Sequence, residues 1–195
     1  MKEKKVADHV YERGLGGVEG FLSSGQVAFL KNELKLYRRI SGIERDILWM
    51  KKILFASPSD CVEERLAIPE VIYSWNACYS DTLRVVLLPV MWETHSWPEL
   101  GDRAQSIINK QILKNCDILI GAFWIRLGTP TGVSESGTVE EIDNFRKMEK
   151  PVMLYFSEKL VEPGSIDQEQ LTRLREFKEK CRKEGLFREY KSMGR

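Results

Sequence analysis

The sequence predicts an α/β domain, a parallel sheet of about five strands with helices on both faces. Short, dense, partly β-branched apolar runs recur along it, and runs of that length read as buried strands. Between them lie segments whose apolar residues return with a helical period. Strand and helix alternate throughout, which implies crossover connections and parallel pairing. The most informative stretch is 117–142, DILIGAFWIRLGTPTGVSESGTVEEI. It joins a buried strand, a loop dense in turn-formers and a helix start. Open α/β sheets hold ligands with this arrangement, at the carboxyl ends of their strands.

Residues 1–49 differ from the rest and are expected to form a helical extension ahead of a domain at 50–195. Residues 14–20, GLGGVEG, are loop-like. Residues 26–40 place Val27, Leu30, Leu34, Leu36 and Tyr37 on a rough helical stripe. Arg38 and Arg39 stand near its end, where cations suit the helix dipole. Such a segment serves a partner, packs on the domain, or is a poorly ordered extension; the domain is expected to do without it.

Residues 52–57 form the first strand, turned by Pro58 and Ser59. Asp60-Cys-Val-Glu63 reads as a capping box for the next helix. Val62, Leu66, Ile72 and Trp75 trace that helix's apolar stripe, and Pro69 is expected to kink or break it. A loop at 76–82 leads to the second strand, 83–90. The connector at 91–98, MWETHSWP, is unusually rich in functional side chains. A helix at 101–115 carries Ile107, Ile108, Ile112 and Leu113 on one face, and the third strand follows at 117–124. Residues 138–148 form a helix, 151–156 the fourth strand, and 165–183 the last long helix, stopped by Gly185. Residues 186–190 are expected to add a fifth, edge strand. The chain ends on charged residues at Arg195 with no closing element, which leaves room for further protein beyond it.

With 195 residues the chain can build one such domain, with a proper core and an appendage. Its net charge of +1 provides no bulk field to draw nucleic acid or an anionic membrane. No run approaches the ~20 apolar residues that span a bilayer. The start, MKEKKVADHVYERG, has no apolar core of a secretory signal. Cys61, Cys78, Cys116 and Cys181 are scattered without a CxxC pair, and His9 and His95 are the only histidines. Neither zinc nor another cofactor is expected, and the thiols suit a reducing cytoplasm.

Glu141 is the sharpest candidate for chemistry. It stands in the first turn of a helix, just past Ser136, Gly137 and Thr138, near unpaired amides and the positive end of the dipole. Thr138-Val-Glu-Glu141 is equally a capping box, in which Glu141 merely bonds the Thr138 amide and Glu140 is a solvated neighbour. Asp117, at the start of the third strand, is a second acidic candidate or a plain turn residue. Ser57, Ser59 and Asp60 form a turn able to cradle a phosphate or ribose, or simply to cap a helix. Trp92 and Glu93 are suited to a base or sugar, or to an aromatic lid. Arg126 has the chemistry to pair with a phosphate, or with Glu135 or Glu140. Residues 128–132, GTPTG, lack the lysine and spacing of a P-loop, which argues against nucleoside triphosphate hydrolysis.

Three blocks together, ILFASPSDCVEER (53–65), CDILIGAFWIRLGTPTG (116–132) and SGTVEEI (136–142), with YFS (155–157) after them, resemble the domain-of-unknown-function family numbered four-zero-six-two. The resemblance covers about residues 50–190. That family is often found at the front of larger bacterial proteins and is grouped with TIR domains and nucleoside 2-deoxyribosyltransferases. It implies a flavodoxin-like sheet in the order 2-1-3-4-5. In the transferases a helix-borne glutamate after a Gly-containing loop attacks the anomeric carbon; TIR NADases use a glutamate to cleave ribose from nicotinamide. By motif, Glu141 matches the transferase glutamate, Asp117 an acidic position at the third strand, and Ser57 and Asp60 the loop lining the sugar pocket. Around the glutamate this chain reads Thr-Val-Glu-Glu where the transferases show Gly-x-Gly-x-Glu. Trp92 and Trp124 are expected to flank the base.

Two functions follow as expectations. One is an enzyme or sensor directed at a nucleoside or NAD, with Glu141 at the anomeric carbon and Asp117 positioning the sugar. The other is a non-catalytic TIR-like module that binds a nucleotide-derived signal or a protein inside a defence or signalling protein. The relatives also imply homo-oligomers or partner domains. Convergence of Glu141, Asp117 and the Ser57 loop on one cleft favours the first; a Glu141 bonded to the Thr138 amide and turned to solvent favours the second.

Overall fold

The computed structural model describes residues 48–192. The expected extension at 1–49, with its stripe at 26–40, lies outside them save for its last two residues. Five strands form one parallel sheet in the order β2-β1-β3-β4-β5. They are β1 (Trp49–Ala56), β2 (Val85–Val90), β3 (Ile118–Phe123), β4 (Val152–Ser157) and β5 (Arg188–Tyr190). Helices α1 (Val62–Leu83), α2 (Trp92–His95), α3 (Ala104–Ile112), α4 (Gly137–Lys147) and α5 (Gln168–Glu184) alternate with them. This is the flavodoxin-like α/β order.

By their contacts the described residues group into two units, one of 48–51, 69–88 and 192, the other of 52–68 and 89–191. In the second unit β3 is the central strand, and all six of its residues are buried. Its register runs Ile53 beside Ile118 on one side and Leu119 beside Val152 on the other. Phe123 stacks on Phe156 at 5.4 Å between ring centres and meets Phe177 of α5 at 5.2 Å. Aromatic contacts of this kind add to the burial that holds helix on sheet. Gly121 sits where a Cβ would come 2.8 Å from Leu154 Cδ2, so a side chain there would have to displace that methyl group.

The first unit corrects the expected end of α1. The helix continues through Pro69 without the break that was one of the two outcomes expected there. Proline removes one amide donor and crowds the carbonyl four residues earlier, yet a 22-residue helix carries on past it. Residues 76–82 are helical rather than a loop. Trp75 and Tyr79 are buried and touch at 5.5 Å, so the apolar stripe continues past the expected end. Asn76, a turn-former in isolation, is recruited by the backbone of β2. Its Nδ2 donates to the Leu87 carbonyl and its Oδ1 accepts from the Leu87 amide, both at 2.8 Å. The helix stops only where Arg84 turns to a φ of 56°. Asn76→Ala would leave both Leu87 groups unpaired and is expected to cost about 2 kcal/mol in denaturant unfolding.

Other boundaries shift locally. Asp60 does not cap α1, which begins at Val62; its Oδ2 instead accepts the amides of Ile125 (2.9 Å) and Arg126 (3.1 Å) after β3. Part of the expected 91–98 loop is the four-residue α2. The helix expected over 101–115 begins at Ala104 and tightens to a 3-10 turn at Leu113–Asn115. The last helix starts at Gln168, capped by Asp167, whose side chain accepts from the Glu169 and Gln170 amides.

Candidate functional site

The site grows from the loops that follow β1 and β3 and from two facing helices, all within the second unit. After β3 the chain turns through Gly128 and Gly132, whose φ values of 107° and 86° suit glycine. Buried Gln170 of α5 holds this loop: its Oε1 accepts the amides of Leu127 (3.1 Å) and Gly128 (3.0 Å), and its Nε2 donates to the Gly128 carbonyl. The loop ends at Ser136, whose hydroxyl accepts the Val139 amide at 3.2 Å and so caps α4. The cap is therefore Ser136 and not Thr138. That moves Glu141 beyond the capping-box position and frees it from the Thr138 amide.

Glu141 is 6% exposed and lines a cavity of about 440 Å³, within the range of small-ligand pockets. Ser57, Pro58 and Ser59 after β1, Trp92 of α2, Arg103, Gln105 and Ile108 around α3, and the loop from Arg126 to Thr131 complete much of its wall. Gln105 Nε2 donates to Glu141 Oε1 at 3.0 Å. Burial pushes the Glu141 carboxyl up to about 7; the Gln105 bond opposes this, and the nearby charges of Glu93 and Glu140 add to it.

Glu140, one residue before, behaves in the opposite way. Burial alone would raise its carboxyl, but hydrogen bonds from Thr131, Arg103 and Asn109 outweigh it and hold the group below its usual range. Arg103 reaches both oxygens at 3.3 and 3.4 Å, Asn109 donates at 2.9 Å and Thr131 at 2.5 Å. Gln105 also donates to Asn109 at 3.0 Å, one turn along α3. The two adjacent carboxyl groups are thus joined through Gln105 and Asn109 yet titrate apart. One is a fixed anion that positions the wall; the other changes charge near neutrality.

Gly137 makes room for this geometry, since a Cβ there would stand 2.4 Å from Gln105 Oε1. Gly137→Ala is expected to swing the flexible Gln105 amide aside at little cost in stability. The hydrogen bond that lowers Glu141 would go with it, so the Glu141 titration, followed by NMR, should move up from about 7.

A family model described as Domain of unknown function (DUF4062) matches residues 55–194. The chain belongs to this family. No curated protein matches it. Every residue lining the cavity falls inside the DUF4062 match.

Within this DUF4062 domain the cavity gathers Glu141, Ser57, Ser59, Trp92, Arg126, Gly137 and Thr138. Five other sequence candidates do not line it. Asp117 stands before β3 while the cavity lies past its end, about 20 Å along a six-residue strand. Its carboxylate accepts the Lys52 amide at 2.8 Å, a bond that ties β3 to β1. Trp124 donates to the Lys159 carbonyl at 3.1 Å and lies beneath the Lys159 ammonium group. Glu93 pairs with Arg65 at 2.9 Å, Asp60 holds the amides after β3, and Ser136 is the helix cap. Glu140, read as a solvated neighbour, is 8% exposed and fully engaged. Its partner is Arg103 rather than Arg126.

Arg103, Gln105, Asn109, Thr131 and Gln170 were not singled out by sequence. A polar i, i+4 pair on a helix, Gln105 and Asn109, was the one local sign available.

Proposed function

We propose that the cavity takes a nucleoside or NAD-like molecule and that Glu141 acts at its anomeric carbon to cleave the N-glycosidic bond. The observation that carries this reading is a buried carboxyl group in the wall of a ligand-sized hollow, held by a single amide and titrating near neutrality. The resemblance of SGTVEEI to the helix-borne glutamate motif of the transferases supports it. In its ionised form Glu141 attacks C1′. The bond from C1′ to the base nitrogen breaks, its electron pair leaves with the base, and water then hydrolyses the sugar ester. Trp92 offers a ring for the base, and Ser57 and Ser59 offer hydroxyls for the sugar.

Among the described residues lining the cavity, Glu141 is the sole carboxyl group, and no histidine joins it. A base that leaves a cationic glycoside as a neutral molecule, as nicotinamide leaves NAD, needs no proton donor and suits this lining best. The same lining favours a second reading: a non-catalytic TIR-like module that holds a nucleotide-derived signal. Incubating the purified chain with NAD and a nucleoside panel separates the two. Release of nicotinamide or free base supports the enzyme; binding without release supports the module.

A further inference from the structure

The two arginines of the cavity wall are not equivalent. Arg103 is committed, with both Glu140 oxygens and the Thr131 carbonyl as its acceptors. Arg126 is held through its backbone, where Asp60 Oδ2 accepts its amide at 3.1 Å. Among the described residues its guanidinium group makes no hydrogen bond or ion pair, and it is half-buried in the same wall as Glu141 and Ser57. Ser57 accepts from Arg65 Nε at 3.2 Å, which leaves its own hydroxyl proton for a ligand. The wall fixes one cation with a carboxylate and leaves the guanidinium of the second without a hydrogen bond, under the longer-range charge of Asp60 and with the Ser57 hydroxyl in the same lining, which suits an anionic group on the ligand. A planar guanidinium with five donors meets phosphate oxygens in pairs.

We infer that the ligand of this cavity carries a phosphate on its sugar and that Arg126 binds it, with Ser57 beside it, while the sugar's anomeric end lies toward Glu141. The substrate class is then a nucleotide or dinucleotide and not a free nucleoside. This inference rests on the N-glycosidic reading for its orientation but not for the anion contact. One guanidinium–phosphate pair accounts for about a ten- to hundredfold preference.

Calorimetry on the full chain tests it with matched pairs: adenosine, guanosine, cytidine, uridine and nicotinamide riboside, each against its 5′-monophosphate. At least one monophosphate should bind ten- to hundredfold tighter than its parent. Arg126→Ala should erase most of that preference, and Arg126→Lys, which keeps the charge, should restore part of it. Unchanged melting temperatures show that the variants fold. Equal binding within every pair, binding by none, or a preference that survives Arg126→Ala overturns the inference. The two readings fail separately. Base release with no phosphate preference leaves the glycosidic reading and removes this one; phosphate preference with no release does the reverse.

Discussion

Glu141→Gln is expected to lower release of nicotinamide or free base by at least about a thousandfold while ligand affinity moves far less. Glutamine matches the shape of glutamate and still presents an oxygen to Gln105 Nε2, so the wall keeps its form. What it lacks is the anionic oxygen that the proposed mechanism requires for the bond to C1′. The pH profile gives a second signature. Burial pushes Glu141 up to about 7, so the attacking form is a minority at pH 6 and dominant at pH 8. The wild-type rate should therefore rise roughly tenfold per pH unit below 7 and level off above it, and the residual rate of the variant should lack that limb. Timed chromatography of the products between pH 5.5 and 8.5 measures both. Release that survives the substitution would take Glu141 out of the chemistry, whatever the cavity binds.

The fold was legible because its signals are local and redundant. Residues 117–124 read as a buried strand, and the six that form β3, Ile118–Phe123, are all buried. The site was legible where one residue carries its own context, as Glu141 does beside a glycine-rich loop. It was illegible where a side chain's role depends on what lies across the fold. Asp60 and Thr138 show the difference. Both read as helix caps and neither is one: the amides of Ile125 and Arg126 fall within reach of Asp60, and Ser136 takes the capping place before Thr138. Glu140 and Glu141 are identical neighbours in sequence. Arg103, Asn109 and Thr131 satisfy one, a lone amide meets the other, and those partners come from 9 to 37 positions away. No local pattern encodes which carboxylate will be paired. Of the two readings of Asp117, the structural one fits: it stands just before β3, at the end away from the cavity, and its carboxylate accepts the Lys52 amide.

The same carboxyl group should make the protein less stable as the solution becomes more alkaline, and Glu141→Gln should reverse this. The sign follows from where the proton is held. Unfolded, Glu141 titrates near the ordinary 4.5; folded, near 7. Below pH 4.5 both states hold the proton and nothing is lost. Between 4.5 and 7 the folded state keeps a proton that the unfolded state releases, so unfolding gains ground with every step upward in pH. Above 7 both states are ionised and the loss is complete, at about 3 kcal/mol. Glutamine carries no charge to bury. The variant should match the wild type near pH 4.5 and exceed it by about 3 kcal/mol at pH 8, a rise in Tm on the order of 10 °C. Asp102 and Glu189, both held below the usual carboxylate range, act in the opposite sense at lower pH. They act equally in both proteins, so the difference between the two melting curves reports Glu141 together with its coupling to Glu93 and Glu140. A gap that stays flat from pH 4.5 to 8 would mean that the carboxyl group is not desolvated in the folded chain. If the replacement both stabilised the protein and stopped base release, the two results together would mark a group held for chemistry, because packing alone would favour the glutamine.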